Sequence, residues 1–193
     1  ISFDQCALNE VDILIFTQLA YLDFNLLISE DYDKKISLKE LSDMFFFSIN
    51  SNKTLGILIN PKIKDLLLEC AKSKRFSNVL VSAYISKFSK EQEYQFASLT
   101  FTIKKPKITI VTFRGTDDTL IGWKEDFNML YKDSVPSQIF AKEYFEYISK
   151  ETYNDIILCG HSKGGNLAIY ASLFCSDKCK KDIAGVYNYD GPG

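Results

Sequence analysis

The sequence predicts an α/β protein, a mostly parallel β-sheet with helices on both faces, behind a helical first third. Three observations carry that expectation. From Ile108 onward, apolar β-branched runs alternate with segments of helical spacing, the pattern of strands joined by crossover helices. Through the first 75 positions, apolar residues recur at three- and four-residue intervals. Between Ile156 and Ala168, a short apolar run passes through the small, polar Gly160–Asn166 segment into Leu167, Ala168, Ile169 and Ala171, which reads as strand, tight turn and helix. One domain over residues 1–193 is expected, helical over 1–75 and sheet-bearing over 76–193.

Taken in order, Asn9 can cap a helix whose apolar face is Val11, Leu14, Ile15, Leu19 and Leu22. Ser37 to Glu40 reads S-x-x-E, a capping box opening a second helix through Leu38, Leu41 and Phe45 toward Ile49. The run Phe45-Phe46-Phe47 cannot all face one way; core packing is expected, with an apolar substrate wall as the alternative. Asn60-Pro61 reads as an N-cap and N1 proline before Ile63, Leu66, Leu67, Cys70 and Ala71, ending in Lys72, Lys74 and Arg75. These helices are expected to cover the sheet, a cap over a cleft being the other reading.

Residues 79–88 and 94–103 then read as strands around a polar turn, and Pro106 precedes an interior strand over 108–113. The next segment carries Leu120, Trp123, Phe127 and Leu130 at helical spacing. Pro136 opens a helix with Ile139, Phe140, Tyr144, Tyr147 and Ile148 on its expected buried side. After the 156–171 unit, residues 176–182 read as a polar, lysine-rich loop, 183–189 as the last strand, and Asp190 to Gly193 as its exit turn.

The chemistry concentrates at the turns. Gly160-His161-Ser162-Lys163-Gly164 fits G-x-S-x-G, in which serine occupies a sharp turn between nearly side-chain-free neighbours. Such a turn exposes the hydroxyl at a helix N-terminus and aims the backbone N–H of Lys163 at an oxyanion formed by attack of Ser162 on a carbonyl. The alternative is an ordinary glycine-rich strand–helix connection. The second site is the loop Phe113-Arg114-Gly115-Thr116-Asp117-Asp118, at the sheet edge where such folds place ligands. Thr116 offers an N–H and a hydroxyl as oxyanion donors; the plainer reading makes Thr116 and Asp117 caps for the following helix.

Composition narrows the classes. A net charge of −2 with interspersed signs gives no footprint for nucleic acid or an anionic membrane. The apolar stretch 11–28 is broken by Asp12, Gln18, Asp23 and Asn25, so no transmembrane segment is expected. Five scattered cysteines without a C-x-x-C pair point to reduced thiols and a cytoplasmic location. Cys175 and Cys179 could share a helix face as metal ligands, but no second ligand pair lies nearby, so they read as thiols and no metal or cofactor is expected. The chain begins at Ile1, which leaves open a processed or trimmed N-terminus.

Together, the Phe113–Thr116 loop with Trp123 downstream and the Gly160–Gly165 turn resemble the class 3 (fungal-type) lipases of the α/β-hydrolase fold. Gly-His-Ser-Lys-Gly-Gly-Asn-Leu-Ala, Tyr-Asp-Gly-Pro-Gly at 189–193 and the helix over 9–24 resemble more closely a bacterial family of largely uncharacterised lipase-like proteins. The resemblance implies Ser162 as nucleophile and an oxyanion hole from the N–H groups of Lys163 and Thr116, the latter's hydroxyl assisting. It makes Arg114 and Asp126 structural members of the loop and directs the Lys163 side chain away from the attack site.

The departure from that pattern lies in the acid and base. α/β-Hydrolases take nucleophile, acid and histidine in chain order, whereas His161, the only histidine, precedes Ser162. His161 therefore reads as a packing or hydrogen-bonding residue, and Asp190 as a turn residue before a triad acid. The acid and base are expected beyond Gly193, and without them the chain would be inactive. The leading expectation is a serine hydrolase acting on a small-molecule or lipid carboxylic ester through an acyl-enzyme. The alternative is a non-catalytic relative binding a ligand or partner in the same cleft; acyl transfer to an acceptor other than water would use the same residues.

Overall fold

The computed structural model describes residues 1–56, 59–117 and 119–192. Asp118, in the loop singled out above, and Gly193, in the exit turn, lie outside the described residues.

A mixed six-stranded sheet runs in the order β1 to β6: β1 (Ile36–Ser37), β2 (Leu80–Ser89), β3 (Tyr94–Ile103), β4 (Ile108–Phe113), β5 (Asp155–His161) and β6 (Ile183–Tyr189). The expected mostly parallel sheet is not what forms. Three of the five pairings, β1–β2, β2–β3 and β3–β4, are antiparallel, and only β4–β5 and β5–β6 are parallel. Connection length is the reason for two of the three antiparallel pairings. The turns between β2 and β3 and between β3 and β4 are too short for a crossover, whereas β4 to β5 and β5 to β6 are bridged by helices. The strand β1 also corrects the expectation that the first 75 residues are entirely helical.

Helices cover both faces. On one, α1 (Glu10–Leu19), α2 (Leu38–Phe47) and α3 (Ile63–Lys72) bury Phe16, Leu41, Phe45 and Leu67 against Leu99, Phe101, Ile110 and Ile157. On the other, α5 (Pro136–Glu151) and α6 (Lys163–Phe174) bury Phe145, Ile148, Leu167 and Ala168 against Val111, Phe113, Ile156 and Leu158. Ile156, Ile157 and Leu158 thus alternate between the two cores, as a strand covered on both sides must. The remaining helices among the described residues are a 3-10 turn over Ile49–Asn52, α4 (Leu120–Asn128) and the short α7 (Asp177–Lys180), the last within the segment expected to be a loop.

The caps explain where helices begin. Asn9 and Asp12 form a reciprocal capping box on α1, and Ser37 and Glu40 form another on α2. Asn60 does not cap α3; its side chain accepts from the Lys62 N–H in a local turn, and the helix starts at Ile63. The buried face of α1 is Ile13, Phe16 and Leu19 with Asp12, while Val11 is exposed. Apolar residues surround this helix, so spacing alone did not fix its phase. Asp12 is held by a two-point contact from Arg75, which also donates to the Cys6 and Ala7 carbonyls.

Two further faces differ from expectation. In α5, Ala141 and Phe145 are buried and Ile139 is exposed. In α4 the apolar residues point outward: Leu120 is 81%, Phe127 61% and Trp123 44% exposed, while Gly122, Glu125 and Asn128 are buried. Phe45 enters the core, but Phe47 is exposed and none of the three phenylalanines reaches the cleft described below.

Candidate active site

The register of β4 and β5 brings the two chemical turns together. Phe113 pairs with Gly160, so Thr116 and Ser162 lie three and two residues beyond that pair on neighbouring strands, on one edge of the sheet. Their backbones then interlock. A Cβ on Gly160 would collide with the backbone of Gly164, and a Cβ on Gly164 would collide with the Phe113 carbonyl, so only glycine permits this approach of strand and helix.

Ser162 sits between β5 and α6 with φ 54° and ψ −132°, a sparsely populated conformation for a non-glycine residue. Its N–H donates to the Tyr189 carbonyl of β6 at 2.9 Å, and its carbonyl accepts from the Gly165 N–H at 2.8 Å. The turn is therefore pinned to the sheet on one side and to the helix on the other. As the first residue of α6, Lys163 has no intrahelical acceptor for its N–H.

The Lys163 side chain turns inward, away from solvent. Its ammonium donates to the Gln95 carbonyl at 2.7 Å and to Glu125 Oε2 at 3.0 Å, with both charged side chains fully buried. Glu125 is saturated: the Ser137 N–H reaches Oε1 at 2.9 Å, and the Ser137 hydroxyl and Gln95 N–H reach Oε2. Sequence reasoning missed Glu125. No local signal marked it, since Lys124 and Asp126 flank it on the same helix and the Lys163 partner lies 38 positions away.

Thr116 does not cap α4; Thr119 does, accepting from the Gly122 N–H. The Thr116 hydroxyl donates to Asp126 Oδ2 at 2.6 Å, and the Asp117 N–H donates to the Gln95 side-chain oxygen at 3.2 Å. Burial pushes the Asp126 carboxyl up from the ordinary aspartate range, against the opposing effects of Thr116 and the Lys163 charge. Its Oδ1 is buried and has no partner among the described residues.

Ser162, Thr116 and Asp126 line one cleft of about 330 Å³, walled by Tyr21, Ile59 and Trp123. The α1 end thus contributes to the cleft while its body covers the sheet. The His161 ring is engaged from the α1 side, Nδ1 lying 2.8 Å from the Tyr21 hydroxyl, in the hydrogen-bonding role expected of it. Burial raises Tyr21 to about 12, so that hydroxyl keeps its proton at neutral pH. Asp190 is absent from the cleft lining and sits at φ 56° beside a turn closed by the Gly191 N–H on Asn188 Oδ1. Another depression, of about 290 Å³, lies at the opposite end of the sheet beside Ile103, where Arg75 is already committed to Asp12.

The cysteines show no metal site. Cys175 and Cys179 are buried, and among the described residues no group of three metal-ligating side chains occurs. Desolvation raises Cys159 and Cys70 to about 12, leaving them protonated thiols. Among the described residues, no helix is long and apolar enough to cross a membrane.

Neither a curated protein nor a solved structure matches the chain. A family model does, over residues 70–193, a span holding β2 to β6 and both chemical turns. By that match the chain belongs to the Mbeg1-like family.

Proposed function

We propose that the protein is a serine hydrolase of the α/β-hydrolase type, related to the class 3 lipases, that cleaves carboxylic esters through an acyl-enzyme on Ser162. The observation that carries this reading is the backbone of Ser162, held at φ 54° between a sheet strand and a 12-residue helix. That conformation costs about 1–3 kcal/mol, and here it presents a hydroxyl to a cleft at a helix N-terminus.

In the proposed reaction Ser162 Oγ attacks the ester carbonyl carbon and its proton passes to a general base. The carbonyl oxygen becomes an oxyanion facing the N–H groups of Lys163 and Thr116. The Thr116 hydroxyl, already donating to Asp126, contributes by fixing the loop, so the donor is the backbone N–H. Collapse of the tetrahedral intermediate expels the alkoxide, which takes that proton from the base and leaves as the alcohol, and water hydrolyses the acyl-serine by the reverse sequence. The apolar walls Trp123 and Ile59 suit an acyl chain.

One observation favours a second reading, ligand binding without turnover. His161, the only histidine in the sequence, precedes Ser162 in place of following it and meets the Tyr21 hydroxyl through Nδ1, so no triad histidine is identified beside Ser162 among the described residues. Hydrolysis of p-nitrophenyl esters by the full-length protein separates the two. The hydrolase reading expects turnover abolished by Ser162→Ala; saturable ester binding without turnover supports the binding reading instead.

A further inference from the structure

We propose that Glu125 is a positioning residue for the oxyanion hole, because Glu125 and Asp126, consecutive on α4, hold Lys163 and Thr116, the residues whose N–H groups serve as its two donors. The inference rests on the hydrolase reading and goes beyond it by naming what sets the spacing of the donors.

Glu125 takes Lys163 Nζ at 3.0 Å, and Asp126 takes Thr116 Oγ1 at 2.6 Å. One helix therefore grips the residue after the nucleophile and the loop that faces it. Gln95 of β3 closes the arrangement: its backbone carbonyl accepts from Lys163 Nζ, its backbone N–H donates to Glu125, and its side chain accepts from the Asp117 N–H. The Ser162 turn, the Thr116 loop, α4 and β3 are joined through hydrogen bonds that are buried at Lys163, Glu125 and the Gln95 backbone and part-buried at Thr116 and Asp117.

Elsewhere α4 is held by the exposed Lys124–Glu93 ion pair, the half-buried Ile121 and Met129 at its C-terminal end, which packs against the core. Its apolar residues Leu120, Trp123 and Phe127 are exposed, and its buried side is Gly122, Glu125 and Asn128. Its position must then depend on the carboxylate contacts more than on hydrophobic packing. A buried ion pair is a poor device for stability alone, since apolar residues of similar volume do as well or better. It is a good device for fixing a distance, because each partner has few geometries that satisfy all its hydrogen bonds. Oxyanion stabilisation needs that fixity, since donors must already sit where charge develops.

The test uses the full-length protein and the second-order rate of Ser162 modification by a fluorophosphonate, read by intact mass and normalised to the folded fraction. Glu125→Gln is expected to slow labelling about ten- to a hundredfold per folded molecule, the scale of a small donor misplacement. In a Thr116→Val background, where the Asp126 link is already lost, the same substitution should slow labelling much less. If Glu125→Gln does not fold, Glu125→Gln with Lys163→Met leaves no unpaired buried charge and should be slowed similarly. Labelling of the folded variant at the parental rate, with only thermal stability reduced, overturns the positioning role. So does full multiplicativity with Thr116→Val. A parental protein that does not label, or that still labels after Ser162→Ala, overturns the hydrolase reading itself and the positioning role with it.

Discussion

The two strand–turn–helix units that meet at the cleft are built on opposite principles. Around Ser162, strand and helix touch backbone to backbone through Gly160 and Gly164, and α6 buries Leu167, Ala168 and Ala171 in the core. Around Thr116, helix α4 turns its apolar residues outward and is tied down by Glu125, Asp126 and Thr119. The Ser162 side is thus fixed by shape, which a substitution disrupts by collision. The loop side is fixed by charge and hydrogen bonds, which a substitution can loosen while leaving the core intact.

Breaking the Lys163–Glu125 link between the units should have the largest effect. Lys163→Ala leaves Glu125 buried without its counter-charge and should destabilise by about 3–5 kcal/mol in chemical denaturation. Next comes the shape side. Gly164→Ala drives a methyl into the Phe113 carbonyl and should lower stability by about 1–3 kcal/mol, with the elbow displaced even in the folded fraction. A parental denaturation midpoint for either variant would show that the units are joined differently.

A smaller effect of opposite sign is expected at Asp126. Its carboxyl pKa is raised by burial, so between the unfolded and folded values the native state binds more protons than the unfolded one, and stability falls as pH rises through that window. Asp126→Asn should therefore gain on the parental protein as pH rises from below the ordinary aspartate range toward neutrality. The gain is of order 1 kcal/mol at most, while Ser162 labelling slows because Thr116 loses its carboxylate. Thermal melts at acidic and neutral pH check the sign. Smallest of all, Phe127→Ser on the outward face of α4 should change stability by no more than about 0.5 kcal/mol, against about 3–5 kcal/mol for Phe145→Ala in the core.

The same contrast decides what could be read from the sequence. The turn at Ser162 was legible because its constraint is local: glycines at fixed offsets around a serine, between an apolar run and a helical one. The positions of α2 and of β2 to β6, the Asn9 cap of α1 and the capping box of α2 were legible for the same reason. The α4 helix was legible as a helix, but its apolar spacing pointed to the wrong side, because periodicity gives a face and not what lies against it. Nothing local marks Lys163 as buried; its partners Gln95 and Glu125 come from β3 and α4. The mixed sheet followed from two short connections whose weight against two helical crossovers the strand–helix alternation concealed.

Activation of Ser162 is tested most directly by intact-mass analysis of the full-length protein after fluorophosphonate treatment. One adduct per chain is expected, lost in Ser162→Ala and retained in Phe127→Ser. No adduct on a folded full-length protein, or an adduct that survives Ser162→Ala, would contradict it.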